Sequence, residues 1–252
     1  MIGPSERADS TRPAGAATMS PAMREMEAYS AYLYRLVEPV LGDRVWEVGM
    51  GHGQYTARMR EAGKRVLATD VDPRCLDAAR RAWAGDDLIV IDRVDLREEA
   101  SIRAHTAYAA ESILCVNVLE HIEDDVGALR WLRESAAPRA ALALIVPAMP
   151  ELYGRMDAEA GHFRRYSRRS LTTLLDTAGW RPHAVRYVNF LGAVGWWYHN
   201  RVRRSAGLGD VRANRAMRAV DRWLPRVAWW TDPVLGSLAG LSVLAVGRSG
   251  DG

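Results

Sequence analysis

The sequence predicts an α/β fold, in which a mostly parallel, seven-stranded sheet carries helices on both faces. Short apolar runs alternate with helix-length segments, which is the pattern of βαβ units. The chain has 252 residues, 48% hydrophobic and 26% charged, so it can bury one full core without disulfides or a structural metal. The predicted strands are residues 44–48, 65–69, 87–91, 112–118, 140–146, 183–190 and 238–247.

Predicted helices precede the first strand and lie between the later ones. The first helix covers residues 20–41, with Ser20 as its N-cap and Pro21 at the first helical position. The helix before the sixth strand covers 170–178 and has Ser170 as its cap. The other predicted helices are residues 53–62, 73–83, 97–108 and 124–136.

The chain divides into four predicted parts. Residues 1–19 are rich in Ser, Pro, Ala, Gly and Arg, a composition that predicts a disordered tail. Residues 20–190 hold the alternating pattern, and 237–252 add the last strand and a tail. Residues 191–236 are an insertion rich in tryptophan and arginine, which we expect to form a helical cap over the sheet.

Composition excludes several functional classes. A net charge of +3 is too small to indicate nucleic-acid binding. Cys75 and Cys115 lack C-x-x-C spacing, so the sequence predicts neither a disulfide framework nor a metal site. No apolar run has the length of a membrane span, and the first twenty residues lack the apolar region of a signal peptide. We therefore expect a cytoplasmic location.

A glycine-rich loop follows the first strand. Strand 44–48 leads into Gly49, Gly51 and Gly53, and the second strand ends at Asp70. Glycines let a ligand lie against the main chain without a Cβ in the way. A carboxylate at the same edge of the sheet can accept hydrogen bonds from both hydroxyls of a ribose. The pattern therefore predicts a nucleotide-type ligand.

Two residues decide which nucleotide fits. Gln54 stands where the dinucleotide fingerprint requires Gly or Ala, and Glu47 precedes the first glycine by two residues. An anion there repels a pyrophosphate but suits a ligand with a positive charge. The E-x-G-x-G-x-G motif resembles the first motif of the class I S-adenosylmethionine-dependent methyltransferases. This resemblance implies a Rossmann-like fold, S-adenosylmethionine as the cofactor and S-adenosylhomocysteine as its product.

The resemblance extends over most of residues 40–190 and assigns roles to further residues. Asp70 and Val71 look like the second motif of the family, with Asp70 on the ribose. Asp95 and Leu96 look like the pair that meets the adenine ring.

Residues 117–122, with the sequence NVLEHI, resemble the "VLEHI" signature of the small-molecule branch of the family. The signature implies that the Asn117 main chain and Leu119 lie beside the methionine half of the cofactor. The resemblance also implies that Tyr29 or Tyr32 on the first helix covers the cofactor.

Three residues are candidates for the chemistry on the methyl acceptor. His162 follows the fifth strand and could be a general base. Tyr153, nine residues earlier, either orients the substrate or packs in the core. His121 in the fourth-strand loop either acts in the cleft or orders its loop.

The candidate substrate contacts are Tyr166, Trp196 and Trp197. Arg164 and Arg165 could hold an anion, but we expect them to form salt bridges to the helix that follows. For most of the tryptophans at 223, 229 and 230 we expect packing of the cap against the sheet.

The leading hypothesis is methyl transfer to a small aromatic metabolite, at O, N or an electron-rich carbon, in bacterial secondary metabolism. One alternative is a lipid or quinone substrate at a membrane surface, contacted by the tryptophans and arginines of the cap. Another is a non-catalytic cofactor-binding protein. A nucleic-acid substrate is not expected, since neither an N/D-P-P-Y/F motif nor a catalytic Pro-Cys is present. The oligomeric state stays open.

Overall fold

The computed structural model describes Thr18, Ala22 and residues 25–198 and 209–250. Within these residues, seven strands form a single sheet. The strands are β1 (Arg44–Val48), β2 (Arg65–Asp70), β3 (Ile89–Arg93), β4 (Ser112–Val116), β5 (Ala141–Pro147), β6 (Arg181–Val188) and β7 (Ser242–Arg248). Residues 1–17, which make up nearly all of the predicted tail, lie outside the described residues, as do Ser20 and Pro21 of the predicted first cap.

The sheet has the strand order β3-β2-β1-β4-β5-β7-β6. β1, β2, β3, β4 and β5 pair in parallel, whereas β7 runs antiparallel between β5 and β6. The predicted seven-stranded, mostly parallel sheet is confirmed. The strand order reverses at β1 and β4, so the carboxyl ends of these two strands flank the crevice in which a ligand binds in such sheets.

Helices cover both faces of the sheet. They are α1 (Glu27–Val37), α2 (Gln54–Glu61), α3 (Pro73–Ala82), α4 (Glu99–Arg103), α5 (Asp125–Ser135), α6 (Arg155–Glu159), α7 (Arg168–Thr177), α8 (Phe190–Tyr198), α9 (Val211–Asp221) and α10 (Leu224–Leu235). Helix α1 ends earlier than predicted, because Pro39 cannot continue an α-helix and Glu38–Val40 form a 3-10 turn.

The N-cap of α7 differs from the predicted one. Ser167, not Ser170, caps the helix, and its hydroxyl accepts a hydrogen bond from the backbone N–H of Ser170. The Ser170 hydroxyl in turn accepts from the backbone N–H of Ser167. This reciprocal pair is a capping box, and it places the N-cap three residues before the predicted one.

Alternating side chains of the central strands divide the core into two layers. In β5, Leu142, Leu144 and Val146 face the layer under α4, α5 and α7. Ala143 and Ile145 face the opposite layer, under α1, α2 and α3. Because β5 is buried on both faces, its apolar run is continuous, as is typical of a central strand in such a sheet. The loops described below follow the parallel strands at the carboxyl edge of the sheet.

The insertion between β6 and β7 is helical in its described parts and comprises α8, α9 and α10. Two buried aspartates connect it to the rest of the fold. Asp221 of α9 accepts hydrogen bonds from the backbone N–H groups of Ala28 and Tyr29 at the start of α1. Asp232 of α10 accepts from the backbone N–H of Asn189, just before α8. The insertion thus supplies a capping carboxylate for α1, through Asp221, and one for its own helix α8, through Asp232.

The tryptophans of the insertion are more exposed than expected. Trp223, Trp229 and Trp230 are 49%, 51% and 81% exposed, so the expectation that most of them pack against the sheet is wrong. The buried residues of α10 are instead Leu224, Pro225, Ala228 and Asp232. Within the residues described, none of the helices is both long enough and apolar enough to cross a membrane.

Candidate active site

The loop after β1 has the backbone that its glycines predict. Gly49, Gly51 and Gly53 have φ values of +73°, +54° and +73°, in the left-handed region. A Cβ at Gly49 would lie 2.2 Å from Val118 Cγ2, and a Cβ at Gly53 would lie 2.3 Å from the Trp83 ring. The loop therefore requires glycine at these two positions, both for its backbone angle and for its close packing.

Glu47 lies buried at the base of this loop. One carboxylate oxygen, Oε2, accepts a hydrogen bond from the Thr56 hydroxyl, whereas the other, Oε1, is buried with no partner. Burial, together with the nearby charge of Asp70, raises the pKa of Glu47 to about 8. A buried carboxylate with an unpartnered oxygen is stabilised by a cation. The residue thus fits the positively charged end of S-adenosylmethionine.

Asp70, at the end of β2, is hydrogen-bonded to the glycine loop. Its Oδ2 accepts from the backbone N–H of Gly51 at 2.8 Å, and its Oδ1 accepts from the backbone N–H of Asp72 at 2.8 Å. A carboxylate oxygen can accept more than one hydrogen bond, so both oxygens can still receive ribose hydroxyls. Val71, half-buried, follows directly. The structure therefore brings Glu47, the glycines and Asp70 together, as the sequence predicts.

The residues predicted to meet adenine have other contacts in this structure. Asp95 is buried, and Arg97 and Arg93 donate hydrogen bonds to its carboxylate. Burial alone would raise the pKa of Asp95, but these arginines hold it below the ordinary value. Leu96 is buried beside it. An adenine amine would share the Asp95 carboxylate with Arg97.

The remaining predicted cofactor residues lie on different elements. Asn117, directly after β4, has a φ of +53°, a conformation that asparagine tolerates better than most residues. Leu119 is fully buried in the core layer under α5. Tyr29 is buried on α1 and stacks on Tyr32, with ring centroids 6.3 Å apart. The hydroxyl of Tyr32 bonds to Asp232 of the insertion.

A second group of polar side chains lies after β4 and β5. Its centre is Glu120, which is fully buried and has no hydrogen-bond partner on either carboxylate oxygen. Burial raises the pKa of Glu120 to about 7. The Nε2 atom of His162 lies 3.9 Å from Glu120 Oε1. His121 meets the His162 ring edge to face, with centroids 4.7 Å apart.

Asp157 of α6 orients His162. The Nδ1 atom of His162 lies 2.9 Å from Asp157 Oδ1, so this nitrogen carries the proton in the arrangement that satisfies the carboxylate. Arg165 donates to the same oxygen, and the backbone N–H of Gly154 donates to the other. Burial alone would raise the pKa of Asp157, but the bonds and charge of His162 and Arg165 hold it below its ordinary value. Nε2 of His162 is left as the basic nitrogen that faces Glu120.

His121 is neutral in this environment. Burial, reinforced by the neighbouring His162, lowers the pKa of His121 to about 3. Its Nδ1 is buried and has no hydrogen-bond partner. Like Glu120, His121 therefore presents an unpartnered polar atom inside the protein.

Tyr153 lies next to this cluster but contacts it through the backbone. Its side chain is 43% exposed, and the hydroxyl donates to the backbone carbonyl of His162 at 2.8 Å. The backbone N–H of Phe163 donates to the carbonyl of Glu120, which joins the two loops. The loop that carries His162 is therefore held from both sides.

Arg164 and Arg165 form salt bridges, but not to the helix that follows them. Arg164 pairs with Asp125 of α5, and Arg165 pairs with Asp157 of α6. The arginines therefore have the expected structural role, but their partners lie on helices that precede them in sequence and not on α7, as predicted. Tyr166 is buried, with its hydroxyl 2.9 Å from Asp125 Oδ2. The predicted substrate contact of Tyr166 would require this bond to break.

Trp196 and Trp197, on α8, differ in their surroundings. The guanidinium carbon of Arg165 lies over the Trp196 ring, 4.7 Å from the ring centroid. The indole N–H of Trp196 donates a hydrogen bond to the backbone carbonyl of Leu152. Trp196 thus adjoins the loop that carries His162. Trp197 is 51% exposed.

Sequence reasoning missed Asp157 and did not assign Glu120 a role. Asp157 lies in a five-residue helix and carries no motif of its own. The available signal was its position five residues before His162, which is too loose a spacing to single out one carboxylate. Its role follows only from the fold of the loop.

Comparison with known proteins identifies the domain. The family described as "Methyltransferase domain" matches residues 22–185. Among curated proteins, the chain is 28% identical over 114 residues to a ubiquinone biosynthesis O-methyltransferase of Actinobacillus pleuropneumoniae. That match covers 44% of this chain and 48% of the relative. The chain therefore spans about half the length of the curated relatives that it matches.

Solved structures share the fold at low sequence identity. An S-adenosylmethionine-dependent methyltransferase of Mesorhizobium loti has a TM-score of 0.55 at 15% identity, with 88% of this chain and 97% of that chain covered. A methyltransferase in complex with the Trm112 activator of Haloferax volcanii has a TM-score of 0.59 at 17% identity, with 90% and 91% covered. Both support the Rossmann-like sheet described above.

Proposed function

Because the chain belongs to the methyltransferase-domain family and is an S-adenosylmethionine-dependent methyltransferase, we propose that it methylates a hydroxyl group on the ring of a small aromatic molecule. The observation that carries this proposal is the buried cluster after β4 and β5, in which Asp157 orients His162. An aromatic hydroxyl must lose a proton to become a good nucleophile, and a positioned histidine can take it. The name of the curated relative, an O-methyltransferase of ubiquinone biosynthesis, supports an oxygen acceptor.

Glu47, the glycine loop and Asp70 would hold S-adenosylmethionine at the carboxyl edge of the sheet. The unpartnered oxygen of Glu47 would receive its positive charge, the glycine loop would lie against it, and Asp70 would accept hydrogen bonds from the ribose hydroxyls. When bound, the cofactor supplies an activated methyl group on a sulfonium. The protein therefore contributes mainly proximity and alignment, which are worth about 7–11 kcal/mol in well-oriented reactions.

The acceptor residues take up the proton. Nε2 of His162 accepts it from the ring hydroxyl while Nδ1 stays bonded to Asp157. The resulting imidazolium lies between two carboxylates, those of Asp157 and Glu120. Negative charge on both sides stabilises that cation. Neutral His121 lines the same space without competing for the proton.

A panel of acceptors tests this function. Purified protein is incubated with S-adenosylmethionine and, in parallel, a catechol, a hydroquinone, an aromatic amine and an aliphatic carboxylic acid. Formation of S-adenosylhomocysteine is measured by mass spectrometry. We expect turnover with the two hydroxylated rings only. Turnover with the amine alone would overturn the hydroxyl assignment, because an uncharged amine needs no base.

A second candidate function is methylation of a quinone or lipid at a membrane surface. The specific observation is a groove between α1 and α10 that combines exposed indoles with positive charge. Trp229 and Trp230 line it together with Arg35, Arg222 and Arg226. Indoles and arginines together are typical of surfaces that rest on anionic lipid.

Co-sedimentation with liposomes tests this candidate. Vesicles that contain an anionic lipid should pull down the wild-type protein, and Trp230→Ser should reduce the bound fraction. Trp230 is 81% exposed, so the substitution removes no core packing. Vesicles of purely zwitterionic lipid are the matched control. Equal binding of both proteins to both vesicles would rule out this surface.

A further inference from the structure

We propose that Glu120, His121 and His162 form a binding site for one divalent transition-metal ion. One ligand atom of each of the three residues lies within 4.8 Å of the others. The sequence-based expectation of no metal site rested on cysteine spacing, which does not test a site of this composition. The proposal concerns the cluster after β4 and β5. It depends on the proposed function only for the chemical consequence of metal binding.

The geometry needs only a small contraction. Ligand bonds to zinc of about 2.0–2.2 Å place neighbouring ligand atoms of a tetrahedral site roughly 3.4 Å apart. His162 Nε2 and Glu120 Oε1 are already 3.9 Å apart. The two imidazole rings meet at an interplanar angle of 76°. To bind one ion, His162 Nε2 and Glu120 Oε1 would have to approach by about 0.5 Å and the other pairs by up to about 1.4 Å, which side-chain rotation can supply.

The polar atoms of the cluster are poorly satisfied by the protein. Both oxygens of Glu120 and Nδ1 of His121 are buried without a hydrogen-bond partner. Each such group costs free energy, and a buried carboxylate costs most. A divalent cation would compensate all three atoms at once. Two of the three clustered residues therefore bury polar atoms that no protein group satisfies.

The surroundings of His162 match those of a metal ligand. Metal-bound histidines usually donate their second ring N–H to a carboxylate, which fixes the ring orientation and makes the free nitrogen a better donor. Asp157 occupies this position at 2.9 Å, and Arg165 and the Gly154 backbone hold Asp157 in turn. The cluster therefore has both an inner set of ligands and an outer support.

The donor set favours a particular class of metal. Two imidazoles and one carboxylate bind zinc or other first-row transition ions with coordination positions left open. Magnesium and calcium prefer sets of oxygen ligands and should bind poorly. An ion with an open position would lower the pKa of a bound hydroxyl. It would then replace His162 as the means of acceptor activation, since Nε2 cannot bind a metal and a proton together.

Metal titration of the full-length chain tests the site without cofactor or acceptor. Protein stripped with EDTA and exchanged into metal-free buffer is titrated calorimetrically with Zn²⁺, and its melting temperature is recorded with and without the ion. We expect one Zn²⁺ per chain and a higher melting temperature. Glu120→Gln should weaken binding at least tenfold, and Asp157→Asn should weaken it by about 10–100-fold. Mg²⁺ should cause no comparable shift.

His183→Ala is the matched control, because His183 is exposed on β6 and its loss removes a histidine elsewhere. Cofactor affinity, measured on every variant, verifies that each is folded. Failure of the wild type to bind Zn²⁺ more tightly than Mg²⁺ would overturn the proposal. So would equal Zn²⁺ affinity in wild type and folded Glu120→Gln. Neither result touches the proposed function, which the acceptor panel tests separately by product formation.

Discussion

The two halves of the carboxyl edge of the sheet are built in different ways. The cofactor half comprises the loops after β1 and β2, and the acceptor half comprises the loops after β4 and β5. In the cofactor half, Thr56 lies 9 residues from Glu47, and Gly51 lies 19 residues from Asp70. The acceptor half combines a shorter contact, between Asp157 and His162 at a separation of 5 residues, with a longer one, in which Tyr166 reaches back 41 residues to Asp125.

The halves also differ in what holds them. Backbone N–H groups satisfy Asp70, and glycine conformations set the loop around it. The acceptor half depends on side chains that contact other side chains, with Asp157 between His162 and Arg165. A backbone cradle tolerates most changes nearby, whereas a side-chain network fails when one member is lost. Each half should therefore respond to its own substitutions and leave the other unchanged.

The largest effect should follow the loss of His162. His162→Ala should lower kcat by about 10²-fold or more, because a positioned base contributes about 10²–10⁴-fold. Affinity for S-adenosylmethionine should stay unchanged, since His162 contacts only the acceptor half. Steady-state kinetics and calorimetry on the same preparation measure both quantities. His183→Ala is the control. A parallel loss of cofactor affinity would show that the two halves are not independent.

The converse substitution is Asp70→Ala. It should weaken cofactor binding by about 1.5–3 kcal/mol, the usual range for hydrogen bonds to a charged group. The kcat at saturating cofactor should change little, because the acceptor half is intact. Asp77→Ala, at an exposed position on α3, is the matched control. Unchanged cofactor affinity in Asp70→Ala would contradict the ribose assignment.

The cofactor half was predictable because its signals lie within single loops. Glycine spacing predicts the backbone of the loop after β1, Asp70 at the end of β2 bonds to that loop at Gly51, and the strand pattern predicts the sheet around them. Elsewhere the choice between neighbours depends on tertiary contacts. Ser167 rather than Ser170 caps α7, and Trp229 and Trp230 are exposed while Ala228 is buried. Helical spacing alone does not reveal which face of α10 packs against the rest of the protein and which face is exposed to solvent.

The acceptor half was predictable only in part, for the same reason. His162, His121 and Tyr153 stand out as chemically capable residues in the loops after two strands. The carboxylates that define their chemistry do not stand out. Asp157 acts because a short helix places it against His162, and Glu120 matters because burial leaves its oxygens without partners. Both properties depend on the three-dimensional arrangement.

A smaller effect should distinguish the two buried glutamates. The pKa of Glu47 is raised to about 8, so at pH 7 the cofactor-free protein holds this carboxyl mostly protonated. A cationic cofactor stabilises the ionised form, and binding should therefore release up to about one proton at pH 7. Calorimetry in buffers of different ionisation enthalpy measures this release. Glu47→Gln should abolish it, whereas Glu120→Gln should leave it unchanged.

The same raised pKa has a defined effect on stability. Between the ordinary pKa of a glutamate near 4.5 and the folded value near 8, the folded state binds more protons than the unfolded state. The free energy of unfolding therefore falls as pH rises through this window. Chemical denaturation at several pH values should show that the free energy of unfolding falls less steeply with pH in Glu47→Gln than in the wild type. An equally steep fall would mean that Glu47 is ionised in the folded protein.

The smallest expected effect separates two roles of Tyr153 within the acceptor half. Its hydroxyl is bonded to the backbone carbonyl of His162 and is partly exposed, so removing it should cost only about 0.5–1.5 kcal/mol. Tyr153→Phe should then lower kcat by roughly tenfold at most, since 1.4 kcal/mol corresponds to a factor of ten. If Tyr153 instead acts directly on the acceptor, Phe should cost as much as His162→Ala. The pH dependence of kcat/KM adds a second criterion: a loop-holding Tyr153 leaves the apparent pKa of the base in place while the rate falls. A shifted profile in Tyr153→Phe, or a loss of 10²-fold or more, would place its hydroxyl in the chemistry rather than in the support of the loop.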